Sequence, residues 1–332
     1  MLHNIIYQTS EGSETDFEFA FNEDVIFSKL THQNFFDKGC LQLVKENAIV
    51  VYSSNYLRIS PSFEKYLNKL DEYVLLHCSN ESLNHLTGYY KKAKAVLRSG
   101  GWNPNITRNN VFSVPLAFQS EFLNVSKKQI DFLNQRFYVW SFFGSLKGDR
   151  TIMYEQLKSV GPYFHFQSKG WMDPDNKTPE DVISYYKNSI FVPSPAGNIY
   201  FECNRTMDAL EWGCIPVSIK FLGEDCYKYL YGDHPFIVGE NWEDVARQMN
   251  ELLSDPIKLK EKQRTVNTWY TNFKSQLAED VEAIVTGNFN KISGKQFLYQ
   301  RKSKNNWKLR WRFFKYFTCS VYWKRFTSTI FK

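Results

Sequence analysis

The chain has 332 residues, enough for two domains of ordinary size. Its 28 Phe, 20 Tyr and 9 Trp exclude an intrinsically disordered chain, because that much buriable surface can offset chain entropy. The formal charge of +6 is unevenly spread: residues 1–290 sum to −6, and residues 291–332 carry +12 with no acid.

Six dispersed cysteines form no CxxC or Cys/His metal spacing, so reduced thiols in the cytosol are expected. The first residues lack a basic start and an apolar run and carry Glu11, Glu14, Asp16 and Glu18, so no export signal is expected. No stretch approaches the roughly 20 apolar residues of a membrane span. The expected location is cytoplasmic.

In chain order, Ala48–Tyr52 reads as a buried strand, followed by a helix through Phe63–Leu67. Tyr73–His77 is the next strand, with a helix around Leu83 to Lys92. Ala95–Arg98 and Phe112–Leu116 are further strands, bracketing the Gly100-Gly101 turn. The series restarts at strand Phe137–Phe143, helix Arg150 to Ser159 and strand Tyr163–Phe166. Helix Pro179 to Lys187, strand Ile190–Pro193, helix Cys203 to Trp212, strand Ile215–Ser218 and strand Pro235–Val238 follow. Trp242 to Leu253 and Pro256 to Val285 are helical patterns. Strands alternating with helices predict two α/β domains, each with a doubly wound parallel sheet. The boundaries are 1–136, 137–290 and a tail at 291–332.

The segment from Phe191 to Val217 concentrates the candidate chemistry. A strand runs into the small-residue loop Ser194-Pro-Ala-Gly197-Asn198, and a helix follows. Such a loop lets backbone N–H groups approach a phosphate, and the helix N-terminus favours negative charge. Arg205 in the first turn can hold a diphosphate. Asp208, one turn on, can accept bonds from ribose hydroxyls. The competing reading is an ordinary i,i+3 surface pair. GxGxxG and Walker A motifs are both missing, which argues against a dinucleotide oxidoreductase or a P-loop NTPase.

Phe191…Pro195-Ala-Gly197, Arg205, Asp208-Ala-Leu and Gly213-Cys-Ile-Pro-Val217 resemble the donor-site signature of the exostosin-like glycosyltransferases, glycosyltransferase family 47. Phe142-Phe143-Gly144-Ser145 with Arg150 is similar to the segment that opens the family's donor domain. His77-Cys-Ser-Asn-Glu81, Val96-Leu-Arg98 and Val114-Pro-Leu116 are similar to acceptor-domain landmarks of bacterial members. The resemblance implies a GT-B fold, two Rossmann-like domains facing a cleft, and transfer with inversion from a nucleotide-sugar. The first domain would then face the acceptor and the second hold the donor, which is expected to be UDP-linked. Ser145, Lys147, Arg150, Ser194, Gly197, Asn198, Arg205 and Asp208 would bind that donor. Asp208 stands where the family usually has Glu, and Ala196 where many members have Arg.

An inverting transfer needs a base for the acceptor hydroxyl and positive charge for the departing diphosphate. Glu81, after the strand ending at His77, is the candidate base; His77 and Glu11 are alternatives. Arginines and a helix N-terminus can supply the charge, so no metal or other cofactor is expected. Asp173-Pro-Asp175 reads as a turn and helix cap.

The tail mixes twelve Lys/Arg with twelve aromatics. On one helical wheel, Arg301, Lys304, Lys308, Arg312 and Lys315 share a sector, with Trp307, Trp311 and Phe314 on another. That pattern suits an anionic membrane surface met by residues 296–332, against the alternative of packing on the first domain. The expected partners are a nucleotide-sugar, a glycan or glycolipid acceptor and the inner face of the cell membrane, without nucleic acid. Lipopolysaccharide or capsule assembly fits this set. The rivals are a fucosyltransferase of similar fold with a GDP-linked donor and a non-catalytic membrane scaffold.

Overall fold

The structure is a computed structural model, and it describes residues 1–8, 18–36, 46–53, 61–78, 87–100, 102–119, 136–169, 175–197 and 200–318. The first sheet contains β1 (His3–Tyr7), β2 (His32–Phe36), β3 (Ala48–Ser53), β4 (Tyr73–Cys78), β5 (Ala95–Ser99) and β6 (Val111–Val114). Their order is β2-β1-β3-β4-β5-β6, with every neighbouring pair parallel. The second holds β7 (Tyr138–Phe143), β8 (Tyr163–Phe166), β9 (Ser189–Pro193), β10 (Ile215–Ile219) and β11 (Ile237–Gly239). Its order is β11-β10-β9-β7-β8, again parallel throughout.

β3, β4 and β5 are buried along their whole length, because helices and loops cover both faces of a parallel sheet. Their continuous apolar runs made them readable. β1 and β2 are strands that the sequence pattern did not reveal. β1 offers one short apolar run, Ile5-Ile6-Tyr7, and β2 is a half-exposed, largely polar edge strand. Pairing with residues far along the chain, rather than local pattern, makes them strands.

The helices of the first half are α1 (Phe19–Phe21), running into a π-turn at Asn22–Ile26, α2 (Pro61–Lys69) and α3 (Thr87–Lys92). The second half adds α4 (Asp149–Leu157), α5 (Pro179–Lys187), α6 (Arg205–Glu211), α7 (Lys228–Tyr231), α8 (Trp242–Leu253) and α9 (Pro256–Thr286). Local caps set several boundaries. Thr178, Asn241 and Asp255 each accept a bond from the backbone N–H three residues on, and Pro179 and Pro256 occupy first-turn positions. Gly287 ends α9 in the left-handed conformation.

The 31-residue α9 is about 47 Å long. It reaches from the second sheet's helices back to the π-turn of the first domain. After it come α10 (Lys295–Ser303) and α11 (Trp307–Lys315). The single helical wheel drawn through residues 301–315 is therefore broken. Asn306 accepts a bond from the Leu309 N–H and starts a new helix, so Arg301 and Lys304 do not share a helix with Lys308 and Arg312.

Both helices dock on the globular body. Phe297, Leu309 and Phe313 are buried, and the Gln300 amide bonds both the N–H and the carbonyl of Ser113 in β6. The Phe313 ring meets Trp102 of the first domain and Phe221 of the second edge-on. One apolar cluster runs through both sheets and these helices. The cations of this segment do not need local acids: Lys304 donates to the Arg108 carbonyl, Arg312 to Leu222, and Lys295 pairs with Asp233 across 62 residues. Among the described residues, no helix is long and apolar enough to cross a membrane.

Candidate functional site

β7 and β9 lie side by side, yet β7 leads on to β8 at one edge while β9 leads on to β10 on the other side. Such a switch in strand order leaves a crevice at the strands' carboxyl ends, the usual ligand position in open α/β sheets. Two loops meet there: residues 144–148 between β7 and α4, and the loop that follows Pro193 at the end of β9.

Arg205 opens α6 and points back over β7. Its guanidinium carbon lies 5.0 Å from the centroid of the Phe142 ring, Nε donates to the Phe143 carbonyl (3.4 Å), and Nη1 lies 2.8 Å from Cys203 Sγ. From the other loop, the Arg150 guanidinium in the first turn of α4 reaches the Ala196 carbonyl, with Nε and Nη2 both at 3.4 Å. Thus Arg150 is held by the opposite loop, and Arg205 by the end of β7 and by Cys203 just before its own helix. Ser145 is half-buried beside them and Lys147 is exposed at the rim.

The second loop is tightly built. The Ser194 N–H bonds to Val217, and its carbonyl accepts from Ser218 Oγ (2.8 Å) and the Tyr227 hydroxyl (3.2 Å). Its own hydroxyl oxygen is buried without a hydrogen-bond partner. Gly197 donates to the Tyr200 carbonyl at 2.8 Å, and a Cβ there would stand 3.2 Å from the Glu202 carbonyl. A side chain there would have to displace that carbonyl by a few tenths of an ångström.

Asp208 is 1% exposed. Its two oxygens accept from the backbone N–H (3.1 Å) and side-chain amide (3.3 Å) of Gln119. Burial pushes its carboxyl up to about 8, against the opposing pull of the Gln119 bonds and Arg205. It sits on the same helix as Arg205, as expected, but faces the segment after β6.

Further ties between the two halves were not apparent from residue types. Glu202, fully buried, accepts from the Leu116 N–H (3.0 Å) and the Tyr231 hydroxyl (2.7 Å). Asn204 donates to the Ala117 carbonyl (2.9 Å), and the Tyr200 hydroxyl bonds the Trp102 carbonyl. Glu202 and Asn204 lie inside the motif, and only their cross-domain position distinguishes them.

Glu81, Glu11, Asn198 and Asp173 lie outside the described residues. His77 is buried in β4, with Nδ1 2.6 Å from the Tyr90 hydroxyl. Its register partner Arg98 is also fully buried, and none of its guanidinium nitrogens has a hydrogen-bond partner. Burial lowers the pKa of that guanidinium from its ordinary range. Among the described residues, no group of three or more His, Cys, Asp or Glu is placed to hold a metal ion.

The geometry therefore presents two half-buried guanidinium groups and a close-packed loop at one crevice, a constellation suited to a diphosphate. The model of the RXYLT1 C-terminal domain matches residues 119–290, which contain this crevice. No curated protein matches the chain. Among solved structures, a DNA-modifying β-glucosyltransferase, determined with and without uridine diphosphoglucose, aligns over 86% of this chain and 100% of its own at 15% identity and TM-score 0.53. HepE of Anabaena, in complex with UDP and glucose, aligns over 86% and 100% at 10% identity and TM-score 0.50. An α1,3-fucosyltransferase aligns over 82% and 90% at 10% identity, with a TM-score of 0.46 that carries no weight here. The two-sheet architecture is the GT-B fold.

Proposed function

The chain belongs to the RXYLT1 C-terminal domain family, an exostosin-like glycosyltransferase family, and from that premise we propose that it transfers a sugar from a nucleotide-sugar to a lipid-linked or cell-surface glycan with inversion. The observation that carries the reading is the convergence of Arg150 and Arg205 on the two loops at the β7–β9 switch point. A hydroxyl of the acceptor attacks the anomeric carbon, the bond from that carbon to the diphosphate breaks, and the nucleoside diphosphate leaves with the electron pair. Arg150 and Arg205 stabilise that leaving charge, so the transfer does not depend on a metal. Ser145, Lys147 and the Ser194–Gly197 loop shape the phosphate end, and Asn198 is assigned to the same donor set. Asp208 meets the ribose once Gln119 releases it. Glu81 takes the acceptor proton; the Tyr90 bond already occupying His77 argues for Glu81 over His77.

The acceptor faces the first domain, in lipopolysaccharide or capsule assembly of a bacterial cell, on the cytoplasmic face of the membrane. Support for the membrane comes from α11. Trp307, Trp311 and Phe314 are 69%, 59% and 53% exposed, with Lys308, Arg312 and Lys315 exposed beside them. Large rings and cations on one short helix match an anionic interface.

Calorimetry and turnover with UDP- and GDP-linked sugars test the reaction. Arg205→Ala is expected to weaken donor binding by about 10–100-fold, the loss of a charge-assisted contact. Unchanged donor binding and turnover would remove Arg205 from the site. Preference for GDP-linked fucose would favour the fucosyltransferase rival, and failure to bind any nucleotide the scaffold.

A further inference from the structure

A cavity of about 470 Å³ lies away from the donor crevice, between the start of β6 and the returning C-terminal segment. That volume falls within the roughly 300–1,000 Å³ typical of small-molecule sites. Its apolar floor includes Phe112, Phe289 and Phe297. The Phe112 and Phe289 rings stack at 5.9 Å, and Phe297 meets Phe112 edge-on. Lys94, Arg301 and Lys304 stand among its lining residues, which among the described residues include no Asp or Glu. Burial and the charge of Arg301, three residues back in α10, both push the Lys304 ammonium below its usual range. Lys94, Asn109 and Arg301 are exposed at the mouth. Aromatic walls under a rim that carries the exposed Lys94 and Arg301 cations suit a ligand with an anionic head and an apolar body.

Position narrows the ligand. Val111 and Lys94 mark the starts of β6 and β5, so the cavity is at the end of the first sheet opposite the strands' carboxyl ends. Three residues after Lys304 the chain enters α11 with its exposed Trp307, Trp311 and Phe314. We propose that the cavity binds the phosphate head and adjoining chain of an anionic membrane lipid. This deepens, and rests on, the reading of α11 as a membrane-facing helix. The lipid phosphate meets Arg301 and Lys94, while its first methylenes lie on the phenylalanine floor. The site would hold the enzyme in a defined orientation, where α11 alone gives only attraction to the surface.

The test uses the full chain and dihexanoyl phosphatidic acid below its micelle concentration, followed by calorimetry. Saturable binding is expected, weakened about tenfold or more by the Lys94→Glu/Arg301→Glu pair and by Ile292→Trp, which fills the floor. Trp307→Ser/Trp311→Ser should leave it unchanged. Circular dichroism and a thermal midpoint check that each variant folds. Absent saturation, full binding by the cavity variants, or inorganic phosphate binding as tightly as the lipid would overturn the proposal. Co-sedimentation with phosphatidylglycerol vesicles separates the two readings. Vesicle binding without short-chain lipid binding overturns the cavity site alone. Short-chain lipid binding without vesicle binding supports the cavity site and sinks the membrane reading.

Discussion

Asp208 carries a carboxyl in a place where ionisation is costly. Its pKa of about 8 in the folded chain lies above the ordinary 3.8, with burial the main cause. Between those values the unfolded chain holds a carboxylate and the folded chain a carboxylic acid, so folding takes up a proton. Stability from this group is therefore present at low pH and is lost as pH rises through that window, by up to about 1.4 kcal/mol per pH unit. Asp208→Asn is expected to flatten this part of the pH dependence, read by urea unfolding at pH 5 and pH 8. Equal slopes for the two proteins would show that Asp208 ionises freely. Arg98 presents the opposite charge in a comparable setting, fully buried and without a hydrogen-bond partner. Arg98→Met removes the desolvation cost and keeps the volume, so a higher Tm is expected, by about 1–4 kcal/mol in stability. A lower Tm would mean that the guanidinium is compensated. Neither environment is visible in a list of residue types.

At the scale of elements, turns and caps hold the site and the tail. Asp280 in α9, fully buried, accepts from the Ser293 N–H (2.8 Å) and the Gly294 N–H (3.0 Å), fixing how the chain turns into α10. A Cβ on Gly294 would fall 2.2 Å from Asp280 Oδ2. Gly294→Ala should therefore push the turn away and cost about 1–3 kcal/mol, the scale of broken buried hydrogen bonds. Hydrogen exchange should rise first in α10 and α11; unchanged exchange there would refute the anchoring role. Most boundaries of this kind were legible locally, because Thr178, Asn241 and Asp255 sit three residues before the N–H they cap. Pro115, without an N–H to extend the ladder, directly follows the last residue of β6. β1, β2 and the break at Asn306 were not legible, since pairing and docking at long range produce them.

Across the whole molecule, the second domain grips the segment after β6 through Glu202, Asn204 and Asp208, and α11 bridges both domains through Phe313. Phe313→Ala should cost about 3–5 kcal/mol, as for other fully buried aromatics, and lower the unfolding midpoint. Trp307→Ser/Trp311→Ser should leave that midpoint within about 0.5 kcal/mol, since both rings are exposed, yet reduce vesicle binding. Reversal of those two outcomes would exchange the roles assigned to the helix's faces.

The sequence by itself determined the α/β alternation, the position of the second sheet's main strands, and the motif that places Arg205 and the Ser194–Gly197 loop together. Those features are local: apolar period, capping residues and a short strand–loop–helix unit carry them. Only the tertiary structure decided that Arg150 reaches the opposite loop, that Asp208 faces Gln119, and that the basic tail divides its aromatics between a docked face and an exposed one. These depend on which distant surface each side chain meets. A helical wheel separates faces, but it contains no information about what covers them; here Trp102 and Phe221 cover one side of α11 and leave its tryptophans to the solvent.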